Sequence, residues 1–136
     1  MHEWALAEGV VVSALNEMKK GGYCRVTAMR LRIGEFQQIS MDAFRAGLEA
    51  SMKQYEEAAG SAKIEISHEG AAFRCRVCGR EWEFEEVKKE LSEEDAEYVH
   101  FVPEVAHSCV RCPGCKSPDF EVVRGRGVWL DEVDVE

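Results

Sequence analysis

Cys75-Arg76-Val77-Cys78 and Cys112-Pro113-Gly114-Cys115 are two Cys-x-x-Cys pairs separated by 33 residues, and their reading decides the architecture. At this spacing a tight turn points both sulfurs at one ion, and the amides that follow can donate to the thiolates. Two such turns complete a tetrahedral four-sulfur shell, the arrangement Zn2+ prefers. Each pair is followed by an aromatic and a Glu, Trp82-Glu83-Phe84 after the first and Phe120-Glu121-Val122 after the second. That weak repeat has the form of the two strands of a zinc ribbon. Cys109-Val110-Arg111-Cys112 has the same spacing, but Pro-Gly between Cys112 and Cys115 favours the knuckle turn, which selects Cys112 with Cys115. A pair of reduced dithiols or a thioredoxin-like redox centre is the alternative, and it needs a β-α-β context that the flanking residues do not provide. A shell of four thiolates leaves no open position for substrate, so such a zinc folds its domain rather than catalyses.

The gap between the pairs is longer than the roughly 15–20 residues of the commonest four-cysteine site. It contains an acidic run from Glu81 to Glu97, nine acids against two lysines. Ser92 and Asp95 stand there in capping-box spacing, so the extra length is read as an insertion with its own helix. The whole chain of 136 residues has a formal net charge of −9, and most of the surplus lies in this run. An acidic balance excludes a polyanionic partner such as nucleic acid, because long-range attraction to it needs clustered Lys and Arg. No apolar run approaches the roughly 18 residues that cross a bilayer, and Met1-His2-Glu3-Trp4 lacks the basic start of a signal peptide. No membrane partner and a cytoplasmic location are expected, with thiols or metal ligands rather than disulfides.

Upstream of the cysteines, Leu6, Val10, Ala14 and Met18 recur every four residues and predict a helix from Glu3 to Lys20, stopped by Gly21-Gly22. Met29, Leu31 and Ile33 alternate with Arg30 and Arg32, a half-buried strand ended by Gly34. Ser40 reads as the N-cap of a second helix whose stripe is Met41, Phe44, Leu48, Met52 and Tyr55, closed by Gly60. Lys63–Ser67 is a short strand with Ile64 and Ile66 inward. Composition changes at Ser67-His68-Glu69-Gly70, where the boundary is placed. The expected fold is α+β: two helices on a small β-sheet over residues 1–70, completed by the C-terminal strand region 120–136, with an inserted zinc-ribbon domain at 71–119. Cys24, isolated at the start of a strand, is read as a small buried hydrophobe.

The first three residues carry a second metal signal. The α-amine of Met1, the amide nitrogen and imidazole of His2, and the amide of Glu3 can gather nitrogen donors around one cation. Such a nitrogen-rich, square-planar set suits Ni(II) or Cu(II) rather than zinc.

Met1-His2-Glu3, the strand end Leu31-Arg32-Ile33-Gly34-Glu35, and two cysteine pairs with Cys-Pro-x-Cys second closely resemble the HypA family, over nearly the whole chain and in order. These are the nickel metallochaperones that help mature [NiFe]-hydrogenase. The resemblance implies nickel at His2 and the N-terminus, zinc on Cys75, Cys78, Cys112 and Cys115, and delivery with the GTPase HypB to the hydrogenase large-subunit precursor. The segment between the pairs is longer than the resemblance implies. His100, in Tyr98-Val99-His100-Phe101-Val102-Pro103, is expected as an additional nickel ligand if that apolar stretch brings it to the terminus; His107 and His68 are poorer candidates. No Ser-His-Asp set, phosphate loop or glycine-rich cofactor fingerprint is present, so no enzyme is expected and any nucleotide hydrolysis belongs to a partner. A zinc-ribbon interaction module without nickel is the rival reading.

Overall fold

The computed structural model describes residues His2 to Glu136; Met1 lies outside the described residues. The chain forms two compact units, the first from Met1–Arg32, Ile39–Ser67 and Val128–Glu136, the second from Ile33–Gln38 and His68–Gly127.

In the first unit, helix α1 spans His2–Lys20 and helix α2 Met41–Gln54. The Ser40 hydroxyl caps α2 by accepting from the Ala43 amide at 3.3 Å, and Asp42 sits in its first turn, where the positive end of the helix dipole favours an acid. The buried side of α1 comprises Ala7, Val10, Val11, Ala14, Leu15 and Met18. That stripe is broader than the four-residue repeat indicates, because a core-facing helix buries neighbouring rows as well, and Leu6 falls at its half-buried margin. The second helix does not run unbroken to Gly60. At Tyr55 the backbone leaves helical angles (φ −111°, ψ 44°), and a separate turn, α3 (Glu56–Ala59), follows with Gly60 as its C-cap.

Strand β1 (Val26–Gly34) is central in a three-stranded sheet, flanked by β2 (Lys63–Glu69) and β6 (Val128–Val135). Reciprocal bonds between Arg25 and Glu136, at 2.9 and 3.0 Å, anchor one end of the antiparallel β1–β6 pair. Met29, Leu31 and Ile33 are buried while Arg30 and Arg32 are half-exposed, as the alternation requires. Arg30 donates to Glu65, Glu132 and Asp134 at 3.0–3.1 Å. The C-terminal strand thus returns to the edge of the N-terminal sheet. Cys24 is exposed rather than buried: it lies in the turn ahead of β1, where its amide donates to the Glu136 carbonyl at 2.9 Å.

The second unit is built on β3 (Ala72–Cys75), β4 (Glu81–Glu83) and β5 (Phe120–Arg124), in the order β4-β3-β5. Phe73 pairs with Trp82 on one side and Val122 on the other, and Cys75 with Phe120. Phe120–Arg124 therefore belongs to this second sheet and does not complete the first, as 120–136 was expected to do. The switch between sheets occurs at Arg124-Gly125-Arg126-Gly127, where Gly125 and Gly127 take φ of +100° and +88°, angles open to glycine but strained for other residues. A second correction concerns 33–38, which group with this unit: Phe36 packs against Phe73 and Phe84, ring centroids 6.0 and 5.3 Å away. Phe73, Trp82 and Phe120 complete the aromatic core, with centroids 5.0–5.5 Å apart.

Between the cysteine pairs lie three short helices, α4 (Phe84–Lys88), α5 (Glu93–Phe101) and α6 (Ala106–Cys109), with a 3-10 turn at Pro103–Val105. The Ser92 hydroxyl accepts from the Asp95 amide at 3.0 Å to start α5, so the segment has the capped helix expected of it. Among the described residues no helix is long and apolar enough to cross a membrane.

Candidate metal centre

The turn after β3 carries Cys75 and Cys78, and the loop before β5 carries Cys112 and Cys115. Strand pairing of Cys75 with Phe120 brings the two knuckles to the same end of the second sheet. All four Sγ atoms lie within 4.8 Å of one another. Cys75 and Cys115 are 3.5 Å apart, and Cys78 and Cys112 3.6 Å. Tetrahedral coordination at a Zn–S distance of about 2.3 Å separates sulfurs by about 3.8 Å, so the cluster has the size of a zinc shell. Among the described residues it is the one group of three or more His, Cys, Asp or Glu whose ligand atoms converge in this way.

Backbone amides face the sulfurs as the Cys-x-x-Cys spacing requires. Val77 and Cys78 amides approach Cys75 Sγ at 3.4 Å, and the Gly114 amide approaches Cys112 Sγ at 3.4 Å. Gly79, with φ of +78°, lets the first knuckle turn back, and Lys116 does the same in the second with φ of 65°. The amide of Cys78 holds the Cys75 thiol below its usual range against the opposing effect of burial, with the Val77 amide adding to it. At Cys112 burial works against the thiolate, but donation from the amides of Cys115 and Gly114 outweighs it and brings the group down to about 6. Cys115 moves oppositely, up to about 12: the Ser117 amide favours its thiolate, but the adjoining Cys75 sulfur and burial prevail. Four sulfurs this close cannot all ionise unaided; a dication among them removes the competition. The donor set therefore fits zinc, which when bound would cross-link the two knuckles.

Cys109 stays outside the cluster. It is half-buried, directs its Sγ to the Val105 carbonyl at 3.7 Å, and burial pushes its thiol up. His107 has a role that spacing did not reveal: its ring stacks on Phe120 with centroids 4.4 Å apart, and Nδ1 lies 2.9 Å from the Pro118 carbonyl. It braces the second knuckle loop. His68 is exposed near the end of β2.

At the N-terminus, His2 is exposed in the first turn of α1, and Met1, named with it as a nickel donor, lies outside the described residues. The Glu3 carboxylate accepts from the Ser40 amide at 3.1 Å. That bond, with its own amide next, holds the Glu3 carboxyl down to about 2. His100 is half-buried in the last turn of α5, its ring edge-on to Phe101 at 5.9 Å; it lines a groove with Phe84, Lys88, Ala96 and Glu97.

A family model described as "Hydrogenase/urease nickel incorporation, metallochaperone, hypA" matches residues 1–135. The chain belongs to the HypA family. It is 41% identical over 138 residues to the hydrogenase maturation factor HypA of Thermococcus sibiricus, covering 100% of this chain and 97% of that one. The HypA of Pyrococcus furiosus is 41% identical over 136 residues, covering 100% of this chain and 96% of its own. The fold is similar to the solution structure of the Ni metallochaperone HypA from Helicobacter pylori, with a TM-score of 0.65 at 14% identity over 98% of this chain and 96% of that one. As a HypA-family chain it is a maturation factor of the nickel-incorporation type, with a four-cysteine cluster able to hold a metal.

Proposed function

We propose that this protein binds Ni(II) through its N-terminus and passes it to the precursor of a [NiFe]-hydrogenase large subunit, in concert with a HypB-type GTPase, while zinc on Cys75, Cys78, Cys112 and Cys115 is structural. The carrying observation is that α1 begins at His2 with the imidazole exposed. An α-helix gives its first four amides no intrahelical acceptor, so the amides of residues 2 and 3 can each release a proton to solvent and coordinate Ni(II) through the deprotonated nitrogen without breaking a helical hydrogen bond. The terminal amine of Met1, those amides and the His2 imidazole form a compact nitrogen set, which suits nickel. An exposed site of this kind can surrender its ion to a partner, as a cargo carrier must. His100 is proposed as a further ligand, its imidazole adding a nitrogen of the same class. His2 and Glu3 belong to the first unit and the four cysteines to the second.

Protons compete with nickel for imidazole and amine nitrogens, so affinity falls as pH drops from about 8 to about 6. Calorimetry on untagged protein checks this, and pH-independent binding contradicts the model. One residue added before Met1 moves the amine away from His2 and abolishes tight binding; equal binding by the extended chain places the site elsewhere. His100→Ala weakens binding if the imidazole is a ligand, and unchanged affinity and stoichiometry remove it.

A further inference from the structure

Two contacts hold the first turn of α1 against α2. The Glu3 Oε1 accepts from the backbone amide of Ser40 at 3.1 Å, one of the amides that α2 cannot satisfy from within. On the same pair of helices, Gly47 faces the first turn of α1 closely enough that a Cβ there would lie 3.0 Å from Ala7 Cβ and 3.2 Å from Trp4 Cα. A carboxylate latch and a glycine notch thus bracket residues 3 to 7. A helix end without such ties frays, and ordering a frayed segment around a metal costs conformational entropy at the moment of binding.

We infer that Glu3 is a positioning residue for nickel: its carboxylate, engaged on the Ser40 amide, presets the first turn of α1 so that the His2 imidazole and the amides of residues 2 and 3 meet the ion in one geometry. The inference rests on the terminal nickel site proposed above. It assigns the Glu3 carboxylate to protein rather than to metal, leaving the amide of Glu3 as its nickel donor. Ser40, whose side chain already caps α2, is the second partner in the device through its main chain.

The test uses the untagged, zinc-loaded full chain and nickel sulfate as the probe. Ser40→Pro deletes the amide donor without requiring a new φ, since −75° is within the range of proline; Ser40→Ala removes the hydroxyl cap and keeps the donor. Glu3→Gln keeps an oxygen acceptor at the same reach, and Glu3→Ala removes it. Calorimetry gives affinity, and visible absorption reports the square-planar Ni(II) signature, which a general loss of stability does not alter. Ser40→Pro and Glu3→Ala are expected to lose roughly 10- to 100-fold in nickel affinity and to weaken that signature, while Ser40→Ala and Glu3→Gln keep it. If circular dichroism shows Ser40→Pro unfolded, the Glu3→Ala and Glu3→Gln pair decides alone. Equal affinity and spectra for Glu3→Ala and wild type overturn the latch, as does Glu3→Gln failing like Glu3→Ala. Wild-type protein that binds nickel no better than a chain extended before Met1 overturns the terminal site and the latch together, which separates the two failures.

Discussion

Four sulfurs held within 4.8 Å of one another converge on a single point and compete for protons until a cation joins them. Cys112 is drawn down to about 6 by amides that outweigh its burial, while Cys115 is pushed up to about 12 beside the other sulfurs. Zinc content should therefore depend on four thiols and not on a fifth: Cys75→Ser, Cys78→Ser, Cys112→Ser and Cys115→Ser each lose the metal, whereas Cys109→Ser retains about one equivalent by elemental analysis. Spacing sufficed to choose these residues, since a knuckle is a local turn. It could not show that His107 stacks on Phe120, a contact made when the loop folds back on β5. Nor could it place Cys24, whose exposure follows from the pairing of the flanking backbone with Glu136. Asp134 gives a surface example with a definite sign. Hydrogen bonding to Arg30 holds its carboxyl below the usual range against burial. Its stabilisation is fully present above the unfolded-state value and disappears as pH falls through the lowered one. Asp134→Asn should then lower the melting temperature near neutrality, and the difference from wild type should shrink as pH falls below the usual carboxylate range; a difference that stays constant with pH contradicts the pairing with Arg30.

At the scale of elements, the helices and strands whose signals are local were legible: the Ser40 and Ser92 caps, the alternation in β1, and the apolar faces of α1 and α2. What escaped was set by tertiary contact. The break at Tyr55 has no proline or glycine to announce it. Phe36 joins the aromatic core of the second unit across a long sequence separation, which no periodicity encodes. The close approach of α2 to α1 at Gly47 is equally silent, and it yields a prediction. Gly47→Ala gains up to about 1 kcal/mol of helix propensity, but its methyl meets Ala7 and the Trp4 backbone at 3.0–3.2 Å. Neither neighbour is the flexible end of a side chain, so the helices must separate, and overpacking of this kind costs about 1–3 kcal/mol. The net expected is destabilisation of about 1 kcal/mol, read as a lower midpoint in urea with unchanged slope. A rise in midpoint would show that the interface yields freely. Ser92→Ala, which only removes the cap of α5, should cost about 1 kcal/mol and leave zinc content intact.

At the scale of the molecule, two small sheets divide the chain, and they differ in what holds them. The first unit covers its sheet with two long helices whose buried faces form an ordinary apolar core. The second has five aromatic rings and only short helices around its sheet, and domains of this size generally need a staple to be stable. Zinc is that staple in the proposed assignment, because a site absent from the unfolded chain contributes its binding free energy to folding. Removal of the metal by a chelator should therefore be selective. Trp82, 2% exposed in the core of the second unit, should move into water and shift its emission to longer wavelength, although Trp4 and Trp129, each about half-exposed, already emit from a wet environment. The helical signal of α1 and α2 should largely persist, since neither helix draws on the cysteines. Adding zinc back should restore the Trp82 emission with one equivalent of metal per chain. If chelation instead melted the whole helical signal in one transition, the first unit would depend on the second for its stability. If it changed neither signal, the aromatic core would suffice without the staple, and the four cysteines would need a purpose other than holding the fold together.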